Sequence, residues 1–328
     1  MSRVAVLGAG AWGTAIACAL APRHAVTLWA RDAAQAGAIA GARRNQRYLP
    51  EIVLPETLGV GADLGAALED AALALAAIPV AGLRELLGRL RAHQVAPPLL
   101  LLCKGFEQRS GLLPHEIVAQ VLGSDQRCGT LSGPSFALEV AQGLPCALTL
   151  ASRDAVFARD AASLLHGGRV RVYHSADLVG VEIGGAVKNV MAIAVGISDG
   201  LGLGQNARAA LITRGLAEIT RLGVKLGGAA QTFMGLAGAG DLILTATGDL
   251  SRNRRVGFEL ARGRGLEEIL AGLGHVAEGV RSTAEVVRKA ATRGVEMPVT
   301  DAVHAVLEGR LRPREAVELL LSRDPKSE

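Results

Sequence analysis

Gly8-Ala9-Gly10-Ala11-Trp12-Gly13 follows a short apolar run, residues 4–7, and precedes an alanine-rich stretch of helix-forming character. Strand, glycine turn and helix in that order are the context that a dinucleotide-binding fingerprint requires. Gly8 permits the tight turn, Gly10 lets backbone N–H groups approach a pyrophosphate, and Gly13 lets the helix lie close on a sheet. The pyrophosphate is then expected at a helix N-terminus, where unpaired N–H groups and the macrodipole favour an anion. Taken alone, GxGxxG is a weak signal in a chain with 41 glycines. Its position strengthens it, because the next extended run, residues 25–29, follows at the spacing of a second Rossmann strand.

Outward from this turn, runs rich in Val, Leu and Ala at 4–7, 25–29, 73–78, 99–103, 128–131, 147–151 and 170–173 alternate with helix-like segments. Near-continuous apolar strands separated by helical crossovers indicate a parallel sheet buried on both faces. Between Tyr48 and Asp63 the pattern is irregular, with Pro50 and Pro55, and reads as loop plus one short strand. After about residue 177 strand signals vanish. Long helical stretches at 178–197, 207–222 and 279–293 take over, with glycine-rich breaks at 200–204 and 235–240. The expected architecture is an α/β Rossmann-type domain over residues 1–176, with a mostly parallel, doubly wound sheet, followed by an all-α domain over 177–328. The junction is expected to run through a continuous helix.

Composition narrows the function. Half of the 328 residues are apolar, which supplies two cores of ordinary domain size. A net charge of +4 spread along the chain does not argue for nucleic acid, and 3% aromatic residues leave few stacking platforms for single strands. Arg3 and the apolar stretch ending at Ala21 imitate a secretory signal, but three spaced glycines and a tryptophan interrupt its apolar region. Single apolar runs fall short of the ~20 residues of a membrane span, and the nearest, 71–83, is broken by Pro79. A soluble, cytoplasmic protein is expected. Cys18, Cys103, Cys128 and Cys146 form no CxxC pair and read as reduced, mostly buried thiols. The seven histidines show no metal-ligand spacing, so no metal is expected. Thirty arginines stand against five lysines, so each lysine invites attention, because a desolvated lysine can lose its proton and an arginine cannot.

Lys104 follows the 99–103 strand, at a carboxyl end, where ligands bind in open α/β sheets; a solvated loop lysine is the plain alternative. Gly133 and Ser135, in Leu131-Ser132-Gly133-Pro134-Ser135-Phe136-Ala137, follow the next strand and offer a close backbone approach and a hydroxyl, or an ordinary Gly-Pro turn. Lys188 lies in Gly184-Gly185-Ala186-Val187-Lys188-Asn189-Val190-Met191, a helix so apolar that it must be largely buried. Burial without a partner is costly and lowers a lysine pKa from ~10.4 toward the range useful for acid–base work; a snorkelling head group is the alternative. Asn189 and Glu182 suggest a polar patch on the same helix. Asp241 follows the bend Leu236-Ala237-Gly238-Ala239-Gly240. Ser251-Arg252-Asn253-Arg254-Arg255 opens a helix in which an N-cap serine, first-turn N–H groups and a guanidinium fork together match a phosphate, although such runs are usually solvated basic helix starts.

With these segments in order, the chain resembles the bacterial-type NAD(P)-dependent glycerol-3-phosphate dehydrogenases. The resemblance runs nearly end to end, from the glycine turn through Cys103-Lys104-Gly105-Phe106-Glu107, the 131–137 segment, Val187-Lys188-Asn189-Val190, the 236–242 bend and the 251–255 run to Val276-Ala277-Glu278-Gly279. It implies interconversion of glycerone phosphate (dihydroxyacetone phosphate) and sn-glycerol 3-phosphate for phospholipid synthesis. It makes Lys188 the proton donor and acceptor at the substrate C2 oxygen. Lys104, Gly133, Ser135, Lys188, Asp241, Ser251, Arg252 and Asn253 are then substrate residues. Gly8, Gly10, Ala11, Trp12, Gly13, Arg31, Tyr48, Lys104, Ala137, Arg252, Val276 and Glu278 are then cofactor residues. Many members of the family carry Ser where this chain has Ala11, which leaves only its backbone N–H for the phosphate.

Trp29-Ala30-Arg31-Asp32 is the region that holds the adenosine ribose in Rossmann folds. Arg31 suits a 2′-phosphate and Asp32 a 2′-hydroxyl, so NADPH is expected to be preferred and NADH tolerated. Two other readings stay open at this level. A β-hydroxyacid or ketopantoate-type reductase needs no phosphate cradle, and a non-catalytic dinucleotide sensor has no use for a buried acid–base lysine. The expected partner is a phosphorylated triose, with no nucleic acid and no membrane span; a homodimer is left open.

Overall fold

The structure is a computed structural model that describes residues 1–94, 97–273 and 277–322. Among these, the chain forms two compact units, the first from Met1–Lys104 and Leu112–Leu178, the second from Gly105–Gly111 and Val179 onward. The first holds an eight-stranded sheet of β1 (Arg3–Leu7), β2 (Ala25–Trp29), β3 (Gly59–Gly61), β4 (Leu73–Ala76), β5 (Leu99–Leu101), β6 (Cys128–Ser132), β7 (Cys146–Ala151) and β8 (Val170–Ser175), in the order 3-2-1-4-5-6-7-8. All neighbours are parallel except β6 and β7, which pair antiparallel. The chain order reverses between β1 and β4, the switch point at which such sheets bind ligands.

The apolar runs are continuous because both faces are covered. Val4, Val6, Leu73, Leu75 and Leu100 pack into one core, while Ala5, Leu7, Ala74, Ala76, Leu99 and Leu101 pack into the other. β8 lies at the edge and alternates, with Val170 and Val172 buried and Arg171 and Tyr173 exposed. Strands β4 and β5 end earlier than the apolar runs do, since the chain turns through Pro79 after one and leaves the ladder before Cys103 after the other. The irregular 48–63 region supplies only β3.

The second unit is helical. Leu178–Gly200 and Gly204–Lys225 are its longest helices, separated at the predicted glycine break. The junction differs from the expected continuous helix. β8 ends at Ser175, whose Oγ accepts from the Asp177 N–H at 3.1 Å, and the long helix starts at Leu178. The Leu178–Gly200 helix is also long and apolar enough to cross a membrane, although Glu182, Lys188 and Asn189 interrupt its apolar run. It is a buried core helix of this protein. The 235–240 segment does not break the chain; residues Leu236–Gly240 wind a wide π turn that delivers Asp241 to the start of the Asp241–Thr247 helix.

Residues 105–111, which sequence alone assigns to the first domain, belong to the helical unit. The Arg109 N–H donates to Glu285 Oε1 at 3.0 Å, Lys289 Nζ donates to the Gly111 carbonyl at 2.9 Å, and the Lys289 ammonium lies 5.8 Å from the Phe106 ring centroid. All four cysteines are free, with Cys18 and Cys103 buried. Burial pushes the Cys18 thiol up to about 11 against the opposing charge of Arg43.

Candidate active site

In the first unit, parallel strands bring the predicted residues to one edge. Gly8 follows β1, Arg31 follows β2, Lys104 follows β5, and Gly133 and Ser135 follow β6, all at carboxyl ends. Gly8 has φ +126°, and a Cβ there would lie 2.5 Å from the Ala77 carbonyl oxygen. A Cβ on Gly13 would strike the Gly8 carbonyl oxygen, so the Ala11–Leu20 helix packs directly on the turn. At Gly10 nothing beyond its immediate chain neighbours lies within 4 Å of where a Cβ would be. The fold itself therefore does not demand glycine there, whereas a pyrophosphate seated over the first-turn N–H groups of Ala11, Trp12 and Gly13 would. No acidic residue occupies that turn to repel an anion. These residues fit a dinucleotide.

Asn45, which the sequence reading passed over, braces this turn. It is 1% exposed, and its Nδ2 donates to the Ala9 carbonyl at 3.0 Å and to Thr14 Oγ1 at 2.8 Å, with Gln35 Nε2 adding a second bond to Ala9 at 3.1 Å. Trp12 and Ala137 pack in one apolar cluster with Ala15, Leu49 and Val140. Asp32 accepts from the N–H groups of Ala34 and Gln35 as the N-cap of the Ala33–Ala42 helix. Its Oδ1 is thus committed to the backbone, while Arg31 is exposed and meets Glu85 at 3.1 Å. Ser135 Oγ donates to the Gly133 carbonyl at 3.0 Å. Tyr48 lies under the Arg47 guanidinium, 5.3 Å from its ring centroid.

The second unit assembles its own set. Lys188 is 7% exposed, and its ammonium donates to the Asp241 carboxylate and, at 2.9 Å, to Thr245 Oγ1. Thr245 donates in turn to the Asp241 carbonyl at 2.7 Å. The buried lysine is therefore ion-paired rather than snorkelling, and Asp241 is the partner that makes its burial tolerable. Thr245 was missed by sequence reasoning, although its position four residues after Asp241 on a helix places both on one face. Ser251 caps the Arg252–Ala261 helix, its Oγ accepting from the Arg254 N–H at 3.2 Å. Arg252 is exposed. Asn253 is buried instead and ties three segments together: its Nδ2 donates to Asn189 Oδ1 at 3.0 Å, and its Oδ1 accepts from the Gly279 N–H at 3.0 Å, beside Glu278 at the start of the Glu278–Thr292 helix. Val276, the remaining expected cofactor residue, lies outside the described residues. Among the described residues no cluster of His, Cys, Asp or Glu is placed to hold a metal ion.

A Rossmann unit with an open glycine turn, and a helical unit built around a buried lysine–aspartate pair, define a pyridine-nucleotide-dependent dehydrogenase. Family comparison narrows the class. Residues 3–158 match the N-terminal and residues 177–318 the C-terminal model of the NAD-dependent glycerol-3-phosphate dehydrogenases, and the chain belongs to that family. It is 58% identical over 327 residues to the glycerol-3-phosphate dehydrogenase [NAD(P)+] of Aromatoleum aromaticum, covering 99% of this chain and 100% of the relative. The corresponding protein of Dechloromonas aromatica is 57% identical, with 99% of each chain covered. The crystal structure of glycerol-3-phosphate dehydrogenase from Coxiella burnetii superposes with a TM-score of 0.93 at 43% identity, covering 98% of this chain and 99% of that one.

Proposed function

We propose that this chain reduces glycerone phosphate to sn-glycerol 3-phosphate, drawing on NADPH in preference to NADH, with Lys188 as the general acid. The observation that carries the reading is the buried Lys188–Asp241–Thr245 set, which holds an ammonium ready in an apolar helix of the segment that matches the family's C-terminal model. The reduced nicotinamide, when bound, supplies the hydride that forms the new C–H bond at C2. Lys188 Nζ gives the matching proton to the C2 oxygen, and Asp241 and Thr245 fix where that ammonium points. Ser251, Arg252 and the first-turn N–H groups of the Arg252–Ala261 helix receive the phosphate. Asn253 supports that turn from beneath. Lys104, Gly133 and Ser135 serve the substrate at the carboxyl edge of the sheet. Gly8, Gly10, Ala11, Trp12, Gly13, Arg31, Tyr48, Ala137, Val276 and Glu278 serve the cofactor.

The helix-capping role of Asp32 Oδ1 and the exposure of Arg31 favour Arg31 as the residue that reads the ribose, and so NADPH. The physiological role is supply of glycerol 3-phosphate for glycerophospholipid synthesis, in the cytoplasm. A homodimer belongs to the same proposal, and sedimentation equilibrium tests it. The activity itself is tested by following absorbance of the reduced nicotinamide with glycerone phosphate and each of NADPH and NADH. No turnover with either would end the proposal.

A further inference from the structure

The Leu178–Gly200 and Arg252–Ala261 helices meet along a seam in which residue numbers ascend together, so the two run in the same direction. At one end Asn253 donates to Asn189. One turn on, a Cβ on Gly257 would strike the Ile193 carbonyl oxygen, and a Cβ on Gly196 would strike that of Arg254. At the far end a Cβ on Gly200 would come within 2.6 Å of the Phe258 carbonyl oxygen. Backbones this close cannot slide past one another without collision, so the seam sets the register between the helix that carries Lys188 and the helix that opens at Arg252.

Asp199 locks that register. Its side chain is 6% exposed, and its carboxylate accepts from Arg254 Nε at 2.7 Å and from Arg208 Nε at 2.9 Å, with Arg208 Nη2 at 2.8 Å. Two guanidiniums, one from the partner helix of the seam and one from the Gly204–Lys225 helix, converge on one buried carboxylate, a charge-assisted arrangement unlike an exposed pair. Arg254 is also the residue whose N–H closes the Ser251 cap. Its backbone and side chain thus join the first turn of the Arg252–Ala261 helix to the end of the Leu178–Gly200 helix.

We propose that Asp199 is a positioning residue for the substrate phosphate: by gripping Arg254 it holds Ser251, Arg252 and the first-turn N–H groups at a fixed distance from Lys188. This rests on the reading of residues 251–253 as the phosphate cradle. Simple electrostatics makes the opposite prediction. Removing a carboxylate near the cradle makes it more positive, which by itself tightens phosphate binding. Loss of position weakens it, because Arg254 is then left with only its 3.0 Å contact to the fully exposed Asp249 and Arg208 with its 2.9 Å contact to Gln205, the two guanidiniums repel, and the first turn frays.

The test is Asp199→Asn in the full chain, with Arg252→Ala measured alongside. We expect the KM for glycerone phosphate to rise about tenfold. The kcat/KM for unphosphorylated dihydroxyacetone and the dissociation constant for NADPH should stay within about twofold. Arg254→Lys, which keeps the charge but loses the fork, should give a smaller rise of the same kind, and reads the same contact if Asp199→Asn does not fold. An unchanged or lowered KM in Asp199→Asn, beside a raised KM in Arg252→Ala, overturns the positioning role and leaves the cradle standing. Equal loss with the phosphorylated and unphosphorylated ketones overturns it as well. An unchanged KM in Arg252→Ala removes the cradle itself, and the inference with it.

Discussion

Lys188 donates to the Asp241 carboxylate across 53 residues of sequence, with the two side chains only 9% and 2% exposed. Each makes the burial of the other less costly. A buried ion pair contributes little net stability against an apolar substitute, yet breaking one by removing a single partner costs about 3–5 kcal/mol.

Lys188→Ala is expected to lower kcat by ~10²–10⁴-fold, the usual contribution of a positioned general acid. Sequence alone suggests that the variant should be no less stable, since a buried charge is removed. The pair reverses that expectation, because Asp241 loses the ammonium that faces it in the buried site. Thermal unfolding should show a clear fall in Tm for Lys188→Ala, and recovery, without activity, in Lys188→Met combined with Asp241→Leu. Turnover within about threefold of the parent would remove Lys188 from the mechanism.

Arg31→Ala should weaken NADPH more than NADH by ~1.5–3 kcal/mol, since only NADPH offers the guanidinium a 2′-phosphate. Arg31 must leave Glu85 to do this, and that pair is exposed on both sides, so the competing hold is at most ~1 kcal/mol. Glu85→Gln is accordingly expected to tighten NADPH slightly and leave NADH unchanged. Fluorescence titration of both cofactors decides it: equal loss for the two in Arg31→Ala would mean that Arg31 stacks on the adenine.

Arg252→Ala should raise the KM for glycerone phosphate steeply and also depress kcat, because binding energy from a remote phosphate orients the reacting carbon. Arg252→Lys should rescue only in part. Parent and variant should reduce dihydroxyacetone about equally poorly. If the variant loses both ketones by one factor, Arg252 belongs to the cofactor site alone.

Glu218 supplies a pH-dependent term far from the chemistry. It is buried and accepts from the Val299 N–H at 2.7 Å, the Thr300 N–H at 3.1 Å and Thr300 Oγ1 at 2.9 Å, capping the Pro298–Leu307 helix. Burial raises its pKa above the ordinary carboxylate value despite those three donors. The folded chain therefore keeps this proton to higher pH than the unfolded chain, whose glutamate titrates near ~4.3. Stability from this group is greatest below that value and declines as pH rises through the raised folded one. The lead in Tm of the parent over Glu218→Gln should shrink across that window; a lead that grows with pH would show that the three hydrogen bonds outweigh desolvation.

The sheet and the dinucleotide turn were legible because their signals are local: apolar runs of strand length, three glycines at fixed spacing, and a serine cap at Ser251 that needs only the next three residues. Lys188 stood out because a charge in an apolar helix is anomalous by itself. What escaped depends on contacts between distant segments. Thr245 matters only once Asp241 is known to reach Lys188, and Asn45 is hidden in a polar run, Arg43-Arg44-Asn45-Gln46-Arg47, of which it alone is almost wholly buried. The glycines at 235–240 read as a break because their composition does not distinguish a loop from a wide helical turn.

The excursion of residues 105–111 means that the chain passes between its two units three times, not once. A chimera that joins the first unit of one parent to the second unit of another at residue 178 would pair one parent's 105–111 segment with the other parent's Glu285 and Lys289, which hold Arg109 and Gly111. Recombinants should therefore survive best when the 105–111 segment is inherited together with the helical unit, so that gene order and heritable module do not coincide in this protein.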